Sequence, residues 1–164
     1  MAEYQNISIH GFEDFKRQLA LLPGRVGRNV LRGMVNAGAT VIRKEAVLRA
    51  PEYTGTVQEG HPPPGTLKKA IYQKQIAELS NAVQQTFFVG WRQGREVQAV
   101  KRGKKIVNLD AYYGHMVEFG TAKMSARPFM RPAFEAKKEA AIEAMRAYGA
   151  ERIPRELDKA AGNY

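Results

Sequence analysis

The chain has no cysteine, which excludes disulfide staples, thiolate metal ligands and a thiol nucleophile, and which fits a reducing compartment. No run of about 18 apolar residues is present, so no membrane-spanning helix is expected. Met1 to His10 carries neither the basic nor the apolar stretch of a secretory leader, and a soluble cytoplasmic protein is the expectation. Chemistry-bearing residues are also scarce in the patterns that catalysis needs. The three histidines, His10, His61 and His115, lie far apart and have no second ligand at metal spacing. Gly24, Gly27 and Gly33 match no phosphate-loop or dinucleotide spacing, and no Gly-x-Ser-x-Gly elbow occurs. His115 and Glu118 stand three apart on one expected helix, yet no third ligand accompanies them. We therefore expect no enzyme activity, no catalytic residue, no metal and no cofactor.

Positive charge is what the chain has in excess: 26 Lys and Arg against 16 Asp and Glu, a net +10. The surplus is concentrated. Residues 23–50 carry +5 and residues 93–110 carry +3, whereas 132–164 balance to zero. A nearby polyanion is one physical reason for such a distribution, and plain solubility is the other. Candidate contacts to DNA or to a partner are Arg25, Arg28, Arg32 and Arg43 on one helix, and Lys101, Arg102, Lys104 and Lys105 on one hairpin. Neither set is interleaved with base-stacking aromatics, which leaves sequence-independent electrostatics.

Periodicity predicts a single α+β domain over residues 1–164, with a core from about 5 to 148 and a partly helical tail from 149 to 164. Gln5–His10 reads as a short strand and Phe12–Leu22 as a helix ended by Pro23-Gly24. Arg25–Ala50 reads as a long amphipathic helix stopped by Pro51. Val26, Val30, Met34, Ala37, Val41 and Leu48 form its apolar stripe, opposite its arginines. Residues 51–66 are a Pro- and Gly-rich loop, and 67–76 a helical turn leading into a strand. Val83–Trp91 alternates as a strand, and 96–109 as a hairpin turning near Arg102-Gly103-Lys104. Tyr112–Phe119 reads as a short helix with Gly120 as its left-handed cap. A last helix begins with Pro132 at its first position and stops at Gly149, and a shorter piece follows Pro154. The expected architecture is a long N-terminal helix packed on a small antiparallel sheet, Val30, Met34 and Val41 against Phe87, Val89 and Trp91, followed by a C-terminal helix.

The densest segment is Ala111–Phe134. It contains Tyr113, His115, Val117, Glu118, Phe119, Gly120 and Thr121, then Ala126, Arg127, Pro128, Phe129, Arg131, Pro132 and Ala133. Glu118 near a helix C-terminus is unfavourably placed and is expected to pair with Arg127 or Arg131. The segment closely resembles the neck or tail-completion proteins of long-tailed bacteriophages, in which "Val-Glu-Phe-Gly-Thr" leads into "Ala-Arg-Pro-Phe-x-Arg-Pro-Ala". Ala50-Pro51, Thr54-Gly55 and Gly65-Thr66-Leu67-Lys68 extend the resemblance, which spans roughly residues 12–148. The Val57–Pro64 insertion and the basic 93–109 hairpin depart from it.

The resemblance implies a structural virion protein at the head–tail junction, present in the host cytoplasm during assembly. Copies would form a ring, commonly six-fold, that completes the tail and joins it to the head. Its partners would be the head-closure or connector protein, the tail terminator or tail tube protein, and genomic double-stranded DNA held without sequence specificity, with no membrane involved. The alternative class is a free, sequence-independent DNA-binding or DNA-packaging accessory protein. A nuclease is a third, for which the acidic residues are too dispersed.

Overall fold

The computed structural model describes residues 13–22, 24–53, 62–94, 100–102, 105–107 and 110–162, with the backbone alone for Phe15 and for the strands within 100–107. The expected strand at 5–10 and the loop at 54–61 lie outside the described residues. Two long helices dominate: α2 (Gly24–Arg49) and α5 (Met130–Ala160). Around them lie α1 (Glu13–Ala20), α3 (Thr66–Ala70), α4 (Gly114–Phe119) and two ribbons. β1 (Ile71–Gln75) pairs antiparallel with β2 (Phe87–Trp91), from Ile71 opposite Trp91 to Gln75 opposite Phe87. β3 (Val100–Arg102) pairs antiparallel with β4 (Lys105–Val107), which places the expected hairpin. The α+β architecture of long helix, small antiparallel sheet and C-terminal helix is as the periodicity predicts.

The partner of the apolar stripe on α2 differs from expectation. α2 and α5 run antiparallel in close contact, and glycine makes the approach possible. A β-carbon on Gly33 would run into the Tyr148 ring; one on Gly38 would strike Met145 and come within 3.1 Å of the Ala141 carbonyl oxygen. Val30 and Met34 are buried with Leu22 and Ile153, and Leu19, Val26, Met145, Tyr148 and Leu157 pack around them. Phe87 and Val89 are only half-buried. α2 still packs on the sheet at its C-terminal end, where Ala46, Val47 and Ala50 meet Ile71 and Trp91, and polar groups join the two farther along: Gln73 Nε2 donates to Asn36 Oδ1 at 2.7 Å and Thr40 Oγ1 at 2.9 Å, and Arg43 Nε donates to Gln73 Oε1 at 3.0 Å. Leu48 leaves the stripe, 76% exposed, because the buried side of α2 ends on the small residues Ala46 and Ala50.

Three boundaries differ for local reasons. α5 does not stop at Gly149, which is buried within it, but runs through Pro154 to Ala160. An interior proline costs a helix about 3 kcal/mol; here the burial of Ile153, fully enclosed, and the packing of Leu157 offset it. The core thus extends past residue 148. Strand β2 begins at Phe87, not Val83, because Asn81 Oδ1 accepts the Val83 and Gln84 amides at 2.9 and 2.8 Å and bends that segment into a turn. Val83 is 87% exposed there. Pro132 is the third residue of α5 and not the first; its missing N–H still falls among the donors that no intrahelical carbonyl can accept.

In urea denaturation, Met34→Ala and Ile153→Ala should each lower stability by about 2–5 kcal/mol as buried truncations. Leu48→Ala should stay within about 0.5 kcal/mol. A tail-like, inert response at Ile153 would contradict the extended α5.

Candidate functional site

The 111–134 segment is built around Glu118. Its carboxylate is buried, 6% exposed, and accepts three backbone N–H groups: Phe129 and Met130 on Oε2 at 2.7 and 3.0 Å, and Arg131 on Oε1 at 3.1 Å. These amides open α5, where the helix dipole favours an anion. With Pro132 lacking an N–H and Ala133 already bonded to the Phe129 carbonyl, the first turn of α5 is satisfied by one side chain. This corrects the expected ion pair: Glu118 forms no salt bridge with Arg127 or Arg131, both of which are exposed.

The chain reaches this cap by doubling back. Gly120 ends α4 with its N–H on the Met116 carbonyl at 2.8 Å. Its φ of 76° and ψ of −179° are not the left-handed cap expected but a conformation essentially restricted to glycine. A β-carbon would also lie 2.9 Å from the Ala126 nitrogen. Thr121 and Met124 then exchange backbone hydrogen bonds, the Lys123 N–H donates to Thr121 Oγ1, and the Arg127 N–H donates to the Val117 carbonyl at 2.8 Å. Pro128 is exposed, while Phe129 is fully buried with its ring centroid 5.5 Å from that of Trp91. Gly114 is small because the Trp91 indole lies against its α-carbon. Ala50 and Leu67 from the N-terminal half and Ala111, Phe129 and Ala133 from this segment share one buried cluster, so the two stretches that carry the resemblance meet in one place.

Tyr113 packs half-buried against that cluster. Burial pushes its phenol above the usual tyrosine range, a backbone hydrogen bond from Leu67 opposes this, and neighbouring Tyr112 adds to the rise. His115 is exposed and takes no part in the cap. On the outer side of the same unit stand Tyr112, Met116, Phe119 and Met124; Phe119 is the most exposed at 78%.

The basic candidates are not brought together in one patch. Arg25, Arg28 and Arg32 are exposed on α2 and have no carboxylate partner among the described residues. Arg43 is turned onto Gln73 at the sheet. Lys101, Arg102 and Lys105 belong to β3 and β4, and Lys104 lies outside the described residues. The hairpin is held at its base, where Asp110 accepts the Gly94 N–H at 2.9 Å and the Ala111 N–H donates to the Arg92 carbonyl at 2.9 Å. No group of three or more His, Cys, Asp or Glu side chains able to hold a metal occurs among the described residues. No family model, curated protein or solved structure matches the chain.

Glu118→Ala should cost about 2–3 kcal/mol, since it strands three amide donors, one of them buried, whereas Arg127→Ala and Arg131→Ala should stay within about 0.5 kcal/mol. Equal losses at all three positions in thermal melts would restore the ion pair. A raised phenol pKa stabilises the fold fully below the unfolded value near 10 and ceases to do so as pH climbs through the folded value. Stability should therefore fall above about pH 10, and Tyr113→Phe should flatten that fall.

Proposed function

We propose that this chain is a structural protein of the neck of a tailed bacteriophage. In this reading, copies assemble into a ring around the DNA channel, complete the tail and join it to the head. The observation that carries it is the character of the 111–134 unit. A buried carboxylate cap fixes the turn and the start of α5, and the rigid unit so formed holds Tyr112, Met116, Phe119 and Met124 out toward solvent. Exposed apolar residues in succession on a locked element suit a subunit interface better than they suit chemistry. The cations without carboxylate partners among the described residues, Arg25, Arg28 and Arg32 included, suit a ring whose lumen holds DNA without reading its sequence. The basic hairpin would face either that lumen or the acidic surface of a neighbouring ring.

The same arginines also favour a second reading, a free sequence-independent DNA-binding or packaging accessory protein. The two separate on salt dependence: a free binder holds duplex DNA as a monomer with a steep salt slope, whereas a ring subunit gains its phosphate contacts only on assembly.

Sedimentation and negative-stain microscopy of the purified protein should show rings, and gold labelling of virions should mark the head–tail junction. Phe119→Asp, at an exposed position, should leave the melting temperature within about 2 °C yet abolish the rings. A protein that stays monomeric at high concentration and is absent from virions would overturn the proposal.

A further inference from the structure

The outward face of the β1–β2 ribbon carries a surface that neither basic candidate set includes. Alternation along the strands sends Ile71, Gln73 and Gln75 inward, and Tyr72 and Lys74 outward. Across the ribbon, Phe88 stands opposite Lys74 and Gly90 opposite Tyr72. Phe88 is 46% exposed, and its ring lies across Gly90, where a β-carbon would collide with it. Only glycine at position 90 lets the ring fold down along the strand. The Phe88 and Tyr72 rings thus come to 6.0 Å between centroids, with their planes inclined at 59°. Just past the end of β2, the Arg92 guanidinium sits 4.7 Å from the centre of the Tyr72 ring. Tyr72, Lys74, Phe88, Arg92 and Gln93 are among the residues that line an open depression here, which has no carboxylate in its wall, and neither Lys74 nor Arg92 has an acidic partner among the described residues.

We propose that this face binds single-stranded nucleic acid. The exposed Phe88 ring, backed by the half-buried Tyr72 ring and the guanidinium plane laid over it, offers stacking surface to unpaired bases, and Lys74 and Arg92 supply cations for the phosphates. A duplex presents its bases edge-on and keeps their faces stacked inside, so it can use the two charges but not the rings. The ligand chemistry is therefore an anionic chain with accessible π-faces, bound without sequence preference. This site uses none of the residues on which the neck reading rests, and the two hold or fail separately.

The test is fluorescence anisotropy of the full chain with labelled oligothymidylate, a duplex of equal length, and inorganic polyphosphate, at several salt concentrations. Oligothymidylate should bind at least several-fold more tightly than the other two. Phe88→Leu keeps an apolar cover over Gly90 while deleting the π-face, and should weaken that binding by about tenfold with the melting temperature held. Lys74→Ala should weaken it and reduce the salt slope by about one. Phe88→Ala is the harsher companion variant; the leucine variant keeps the result interpretable where alanine unfolds the ribbon. Equal binding of the oligonucleotide and polyphosphate would overturn the proposal, and so would Phe88→Leu binding like the parent. Rings and virion labelling that persist in Phe88→Leu would show that the assembly reading stands irrespective of this outcome.

Discussion

A single carboxylate organises the second half of this molecule. Glu118 sits at the C-terminal end of one helix, where the backbone repels an anion, and at the N-terminal end of another, where it attracts one. The second wins because the contact is direct: three amides converge on two oxygens in a buried setting. Everything between the two helices is shaped to allow this. Gly120 adopts a backbone that other residues resist, Thr121 and Met124 close the turn, and Pro132 brings no further amide to the first turn of α5 that would need a partner. Phe129, whose amide is the closest of the three, is thereby seated in the core against Trp91.

The same arrangement links the two halves of the fold. α5 is placed by its capped end, and its length then lies along α2, with tyrosine and methionine side chains filling the spaces left by two glycines. The sheet is subordinate in this packing. It meets α2 through a hydrogen-bonded set of Asn36, Thr40, Arg43 and Gln73 and through the apolar contact of Ala46 and Ala50 with Ile71 and Trp91, and it keeps one face outward. That division explains why the exposed Phe88 ring and the exposed apolar side chains Met116 and Phe119 of α4 are both presented on well-supported elements.

Much of this was legible in the residues, and what was not has physical causes. The amphipathic period of α2 and the stop at Pro51 are local signals, and both hold. The turn from helix to strand at 66–75 and the basic hairpin were readable in the same way. That α2 packs on the sheet was readable, but that α5 covers Val30 and Met34 was not, because a stripe of apolar residues does not say whether a helix or a sheet will cover each part of it; the clue was Gly33 and Gly38, which signal close approach. Gly149 and Pro154 were misleading, since breakers act on isolated helices and burial of Ile153 overrides them. At Glu118 the sequence showed a carboxylate beside two arginines, and opposite charge was the natural partner. Backbone amides compete unseen in any sequence. The proline at position 132, a residue suited to the first turn of a helix, was the available hint that a helix start was being capped. Among the basic candidates, helical spacing placed Arg25, Arg28 and Arg32 correctly in solvent but could not foresee that Gln73 would claim Arg43.

The antiparallel pairing of α2 with α5 also sets the order in which the molecule can be made. Residues in contact there, such as Gly33 and Tyr148, are separated by roughly a hundred positions, so the main core is a long-range contact with a high loop-closure cost. During translation α2 emerges first, and at about 5–20 residues per second its apolar stripe waits several seconds for the covering helix. Over that interval the stripe is open to the wrong partner, including the same stripe on another nascent chain. Folding is therefore gated by the arrival of α5, and the short elements between the two helices act chiefly as the tether that brings the late helix back to the early one.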